Sequence, residues 1–269
     1  MIVQLPSERR RLIQHRLEVA GRVSASDLAQ EFETSEDTIR RDLRELAAAG
    51  LCTKVYGGAL PPASALASIQ SRDRLGGETK AMLAALAVRF LSPGQLIAID
   101  AGSANLAIAR ALPRGMALSV VSNAPAVASV LAERPEIDLH LLGGRYDARS
   151  GAVLGTRTCR QAAELRPHIV FVGCCAVDAA RGVTAFSPEE ADLKQVLVES
   201  AAVVVTVATA DKLGHSATFA VVSADRLDHL ITEASAPSDV LAALRSQGVN
   251  VVQPTTSASA EPPPRVRQG

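Results

Sequence analysis

The sequence predicts an α/β chain in two parts: an N-terminal winged helix-turn-helix domain, then a larger open, mainly parallel sheet with helices on both faces. Three observations predict it. Between Ser24 and Gly58, two short apolar-faced helices separated by a tight turn lead into a strand and a glycine pair. From Thr79 onward, short unbroken apolar strands alternate with helices, the pattern of a parallel sheet covered on both sides. Between the two parts, Leu60-Pro61-Pro62-Ala63-Ser64-Ala65 is a change of composition that reads as a linker. The expected organisation is a first domain over 1–60, a linker over 61–76, a second domain over 77–253 and a disordered tail over 254–269, rich in Thr, Ser, Ala and Pro.

In the first domain, a helix of about Glu8 to Ala20 supplies Leu12, Ile13 and Leu17 as a cover. Ser24 stands three residues before Asp27, a capping-box-like spacing, and Leu28, Ala29 and Phe32 form the apolar face that follows. Glu33-Thr34 leaves room only for a tight turn before Ser35, whose hydroxyl can accept a hydrogen bond from a first-turn amide. Ile39, Leu43 and Leu46 fall at i, i+4 and i+7 and fix one helix face to a core. Thr38 lies in the exposed first turn, while Arg40, Arg41 and Arg44 lie off the apolar stripe. Such a helix suits the DNA major groove, where phosphate contacts give affinity and base edges give sequence choice. Gly50 reads as its C-terminal cap, Leu51 to Tyr56 as a strand and Gly57-Gly58 as a turn. The result is a small wing that sets Lys54, Tyr56 and Gly57 against a phosphate backbone.

Composition limits the alternatives. The 269 residues carry no formal net charge, so any nucleic-acid affinity must come from local clusters. Even 1–60 balances: Arg9, Arg10, Arg11, Arg16, Arg22 and Lys54 join the three helix arginines against an equal number of acids. That argues against tight non-specific binding and for a homo-oligomer, dimer or tetramer, that reads a defined double-stranded site. Cys52, Cys159, Cys174 and Cys175 show no C-x-x-C spacing and no paired His, so no metal site and no cofactor is expected. Cys174-Cys175 lies in a strand-like run and reads as a pair of small buried hydrophobes. Met1 to Arg11 is polar, and the apolar run Ala201 to Ala208 is far shorter than the ~20 residues that span a bilayer. A cytoplasmic protein with no membrane partner is expected.

In the second domain, Thr79 to Leu91 is helical in pattern and Ser92-Pro93-Gly94 breaks it. Strands are expected over Leu96–Asp100, Leu118–Ser122, Ile137–Leu142, Ile169–Gly173, Ala202–Val207, His229–Thr232 and Val249–Val252. Helices are expected over Ala104–Leu112, Ala124–Ala132, Glu189–Ser200 and Asp239–Gln247. Ligands of such sheets collect at the carboxyl ends of the strands. The first strand ends in Asp100-Ala101-Gly102-Ser103, where Gly102 allows close backbone approach and the helix N-terminus favours an anion such as phosphate. The second ends in Ser122-Asn123 and the third in Gly143-Gly144-Arg145, with Lys194 and Lys212 as further cations.

SEDTIRRDLRELAAAGLCTKVYGGA is similar to the DNA-binding signature of the DeoR family of bacterial transcriptional regulators. Thr34, Thr53 and Tyr56 stand where that family has Val, a base and His. The resemblance spans about Ser7 to Val252 and implies a sensor domain similar in fold to ribose-5-phosphate isomerase. The family's sensor motifs are matched by Asp100-Ala101-Gly102-Ser103-Ala104, Ser122-Asn123, Gly143-Gly144, Ala191 to Lys194 and Thr209 to Gly214. The resemblance thereby implies that Asp100, Gly102, Ser103, Ala104, Ser122, Asn123, Gly144, Arg145, Lys194 and Lys212 hold a phosphorylated sugar or related metabolite. Ser35, Thr38, Arg40, Arg41, Arg44, Lys54, Tyr56 and Gly57 would meet operator DNA. Ala104 removes one hydroxyl from the phosphate loop, and Thr209 and Asp211 place an anion near any phosphate.

Two other readings stand beside a repressor of a carbohydrate operon. An isomerase would need a carboxylate base, with Asp100, Asp178 or Glu189 as candidates. However, Gly173 to Asp178 lacks the acidic turn of those enzymes, so no catalytic residue is assigned. A protein-binding head is disfavoured by the arginine-rich helix face.

Overall fold

The computed structural model describes residues 6–20, 22–49, 51–60, 69–74 and 76–254. It forms two compact units, Met1–Leu66 and Ala67–Gly269. The expected tail beyond Pro254 and the cap at Gly50 lie outside the described residues.

The first unit runs α1 (Pro6–Ala20), β1 (Val23–Ser24), α2 (Ala25–Glu31), α3 (Glu36–Ala48), β2 (Thr53–Val55) and β3 (Gly58–Leu60). Ile13 and Leu17 of α1, Leu28 of α2 and Ile39, Leu43 and Leu46 of α3 close one small core. Leu12, expected in that cover, is exposed. The two helix starts are built as their serines predict: Ser24 accepts from the Asp27 amide, and Ser35 from the Thr38 amide at 3.2 Å. The turn between α2 and α3 holds Glu33 at a φ of 49°, and the Thr34 amide donates back to Ala29 at 3.0 Å. Ion pairs tie α1 to α3: Arg9 reaches the buried Asp42 at 2.6 Å, and Arg10 reaches Glu45.

The wing is a three-stranded antiparallel sheet in the order β1-β3-β2. The strand expected over Leu51 to Tyr56 is shorter, and the turn sits one residue earlier, at Tyr56-Gly57. Gly57 takes a φ of 78°, while Gly58 is already a ladder residue. A Cβ on Gly58 would lie 2.0 Å from the Val23 carbonyl oxygen, so the pairing with β1 requires glycine there.

The second unit begins with α4 (Ile69–Arg74), a helix inside the stretch expected to be linker. It continues with α5 (Gly77–Ala87), β4 (Leu96–Ile99), α6 (Ser103–Ala111), β5 (Leu118–Ser122), α7 (Pro125–Leu131) and β6 (Ile137–Leu141). Next come a hairpin, β7 (Arg145–Asp147) and β8 (Ala152–Leu154), then α8 (Thr156–Ala163), β9 (Ile169–Phe171), β10 (Ala176–Asp178) and β11 (Gly182–Ala185). The unit closes with α9 (Pro188–Ser200), β12 (Val203–Val207), β13 (Phe219–Val222), β14 (His229–Ile231), α10 (Ser238–Ser246) and β15 (Asn250–Val252).

Seven strands pair in the order β15-β14-β12-β9-β4-β5-β6, and every pairing in that sheet is parallel. Ile97, Ala98 and Ile99 of β4 and Ile169, Val170 and Phe171 of β9 are buried at successive positions. Successive strand residues face opposite sides, so both faces are covered. The chain builds outward from β4 through β5 and β6, then returns to β9 on the other flank. A crevice therefore opens between the carboxyl ends of β4 and β9. A smaller antiparallel sheet, β10-β11-β13, and the β7–β8 hairpin were not expected from the sequence. Cys174 and Cys175 lie in the loop after β9 rather than in a strand, and both are only partly buried.

Candidate functional site

A cleft opens at that switch point. Asp100 directly follows β4 and is buried, and its Oδ2 accepts from the Gly173 amide beyond β9 at 2.9 Å. Lys194, buried on α9, donates to the same oxygen. A Cβ on Gly173 would lie 2.5 Å from the Ala101 oxygen and 3.0 Å from Asp100 Oδ2, so only glycine lets the two strand ends meet this closely. Asn105 ties them further, donating to the carbonyls of Asp100 at 2.9 Å and Phe171 at 2.8 Å.

Above this pair stands the start of α6. Gly102 precedes it at φ 155° and ψ 152°, a backbone suited to glycine, and no side chain caps the helix. The first amides of α6 thus face the cleft with only backbone to offer an anion. Asn123 uses its Oδ1 to accept from the Ala101 amide at 3.0 Å, leaving Nδ2 buried without a partner among the described residues. A buried unpaired donor is costly unless something fills it.

The charges are mixed. Lys212 lines the cleft and donates to the Cys174 carbonyl at 3.0 Å; Arg72 from α4 and Glu190 from α9 complete the wall. Burial would push the Lys194 ammonium down, but Asp100 and Glu190 beside it hold it above its ordinary range. Burial pushes the Glu190 carboxyl up, against the pull of Lys194. Burial also raises the Cys174 thiol and carries Cys175 to about 11, so both are protonated at neutral pH. With Asp100 and Lys194 matched, Arg72 and Lys212 exceed Glu190 by one positive charge.

Asp100, Gly102, Ser103, Ala104, Asn123, Lys194 and Lys212 all line this cleft. The other three expected residues do not. Ser122 spends its hydroxyl on the Ile99 carbonyl at 2.6 Å and on the Ala124 amide at 3.0 Å, tying together the carboxyl ends of the parallel strands β4 and β5. Gly144 is a packing glycine, where a Cβ would strike Thr158 Oγ1 at 2.1 Å. Arg145 is exposed and paired with Glu189. Asp211 is exposed and does not line the cleft, whose unmatched carboxylate is Glu190. Arg72, Asn105, Ser150, Gly173 and Glu190 escaped sequence reasoning. Gly173 alone had a signal, as a glycine at a strand end.

On the first unit, Arg40, Arg41 and Arg44 are exposed on α3 beside a half-buried Thr38. Arg40 is held by Glu36 at 2.5 Å and Asp37 at 3.4 Å, and Arg44 Nε donates to the Arg40 carbonyl at 3.3 Å. Arg41 and Lys54 have no ion-pair partner among the described residues, and Tyr56 is 81% exposed at the wing tip. Asp42, in the middle of the arginine run, belongs to the core through Arg9.

Comparison with known proteins agrees with this division. The DeoR-like helix-turn-helix domain matches residues 9–64, and the DeoR C terminal sensor domain matches 77–234. The HTH-type transcriptional regulator GlpR of Haloferax volcanii is 32% identical over 92% of this chain and 98% of its own. The glycerol-3-phosphate regulon repressor of Escherichia coli K12 is 28% identical over 86% of this chain and 92% of its own. Among solved structures, ribose 5-phosphate isomerase A of Methanocaldococcus jannaschii aligns over 51% of this chain and 54% of its own, at 16% identity and a TM-score of 0.38. That likeness is too loose to bear on function, and the curated relatives are regulators rather than enzymes. The chain belongs to the DeoR family: a DNA-binding transcriptional regulator with an N-terminal helix-turn-helix domain and a C-terminal sensor domain.

Proposed function

We propose that this regulator represses a carbohydrate-metabolism operon and answers to a phosphorylated sugar or related metabolite held in the cleft. The observation that carries the reading is the meeting, at one switch point, of an uncapped helix N-terminus, Lys212, an unpaired Asn123 amide and the Asp100–Lys194 pair. The α6 amides and Lys212 suit a phosphate, whereas Asp100 and Asn123 suit hydroxyls. Two relatives are named as a regulator and as a repressor of a glycerol-3-phosphate regulon, which favours repression and a phosphorylated ligand.

On the DNA side, Ser35 and Thr38 set the start of α3, and Arg40, Arg41 and Arg44 face the operator. Lys54, Tyr56 and Gly57 of the wing meet its backbone. The arginine pairs with Glu36 and Asp37 are exposed and so worth little, which leaves Arg40 free to trade them for phosphate. A single domain with balanced charge holds DNA weakly, so the working form is a homo-oligomer, dimer or tetramer, in the cytoplasm. Among the described residues, no helix is long and apolar enough to cross a membrane.

The test is a thermal-shift screen of sugar phosphates against the full chain, followed by gel shifts on the promoter beside its own gene. A phosphate ester that raises the melting temperature and changes the gel shift supports the reading. Stabilisation by the unphosphorylated sugar alone would count against the phosphate half of it.

A further inference from the structure

We infer that Arg72, on the first helix of the second unit, is itself a ligand-binding residue of the cleft. On this account α4 reports whether the cleft is occupied. The inference rests on the proposed phosphate-ester ligand and adds how its binding reaches the chain outside the sheet.

Arg72 reaches the cleft wall from α4, a six-residue helix that precedes every other element of the second unit. Its Nη2 donates to the Ser150 carbonyl at 3.0 Å and more distantly to the Arg149 carbonyl at 3.5 Å. Its Nε is buried and has no partner among the described residues. A guanidinium satisfied by neutral carbonyls on one edge, with a buried donor idle on another, is poised to exchange them for an anion. Charge-assisted bonds of that kind are roughly twice as strong as neutral ones, and the planar fork matches phosphate. Glu190, the unmatched carboxylate of the same wall, is the one whose carboxyl burial pushes up.

The rest of α4 is fastened to the same unit. Arg110 of α6 grips Asp73 through both guanidinium nitrogens at 2.7 and 2.8 Å. Lys80 of α5 donates to the Arg72 carbonyl. Ile69 packs over Gly151 so closely that a Cβ there would lie 2.7 Å from it. Together these make α4 a strap between α6, whose N-terminus faces the ligand, and the β7–β8 hairpin, whose Ser150 carbonyl holds the guanidinium. When an anion takes the guanidinium, the link to Ser150 loosens and the link to the cleft tightens. Residues 61–68 alone separate this strap from β3 of the wing in the chain.

The experiment uses the full chain, with inorganic phosphate and ribose 5-phosphate as probes, and two readouts: calorimetric affinity and amide hydrogen exchange over 69–74. For the wild type, binding is expected together with at least about tenfold slower exchange in α4. Arg72→Ala is expected to weaken binding by at least about tenfold and to abolish the change in α4. Arg72→Lys, which keeps the charge without the fork, should recover only part of the affinity and guards against a folding defect. If Lys212→Ala loses binding while Arg72→Ala binds like the wild type, the inference is overturned and the cleft reading survives. If the wild type binds neither probe, both fall. If Arg72→Ala weakens binding but α4 exchange never changes with ligand, the reporter role is refuted.

Discussion

Arg41 is the side chain of α3 that nothing else in the described domain claims. Arg40 leans on Glu36 and Asp37, Arg44 touches the turn before it, and Asp42 is turned inward to Arg9. Arg41→Ala should therefore weaken operator binding by about 1–3 kcal/mol and relax choice at one base position if it reads a base edge. Fluorescence anisotropy on a set of single-base operator variants checks it, and an even loss over all sequences would mark a phosphate contact instead. A second prediction concerns the thiols. Burial raises Cys52, Cys159, Cys174 and Cys175 alike, Cys175 to about 11. The thiolate is the reactive form, so alkylation by iodoacetamide at pH 7.5 should be slower than for a free thiol. It should keep rising with pH past the ordinary cysteine range, and fast labelling of Cys175 at neutral pH would contradict its assigned environment. Single residues were legible where the chemistry is local. Ser24 and Ser35 cap as read, because a cap is decided within three residues. Ser122 and Gly144 sit outside the cleft wall, since the same types, serine and glycine, serve a strand end or a packing contact equally well.

Elements were legible in proportion to their length and periodicity. The 13-residue α3 and α9 and the five-residue β5, β6 and β12 fall close to their expected bounds. The two- to four-residue strands of the wing, the hairpin and the small antiparallel sheet are too short for periodicity, and non-local pairing decides them. The helix α4 was hidden for a similar reason: contacts to Asp73, Ile69 and Arg72 from residues far along the chain order it. The wing gives the prediction at this scale. Gly58→Ala would drive a methyl into the Val23 carbonyl and break the β1–β3 pairing. DNA affinity should fall at least tenfold, while the melting of the sensor domain and its response to ligand stay unchanged. Unaltered DNA binding by Gly58→Ala would show that the wing is not part of the interface.

At the scale of the whole molecule, two units of different construction share one chain, and regulation requires that they share one equilibrium. A ligand shifts DNA binding only by its differential affinity for the two states, and such couplings typically amount to about 1–3 kcal/mol. The parallel sheet was readable from its unbroken apolar strands. The cleft was readable in part: Asp100, Gly102 and Asn123 follow strands directly, whereas Arg72 and Glu190 reach it from helices whose placement no local pattern reveals. The most direct test of the account is the affinity of the full chain for its own promoter, titrated with a phosphate ester found by thermal shift. Wild-type affinity should change about 5–150-fold on saturation. Lys212→Ala should bind the same DNA equally well with the response gone. A Lys212→Ala protein that still responds like the wild type would contradict the placement of the sensor site.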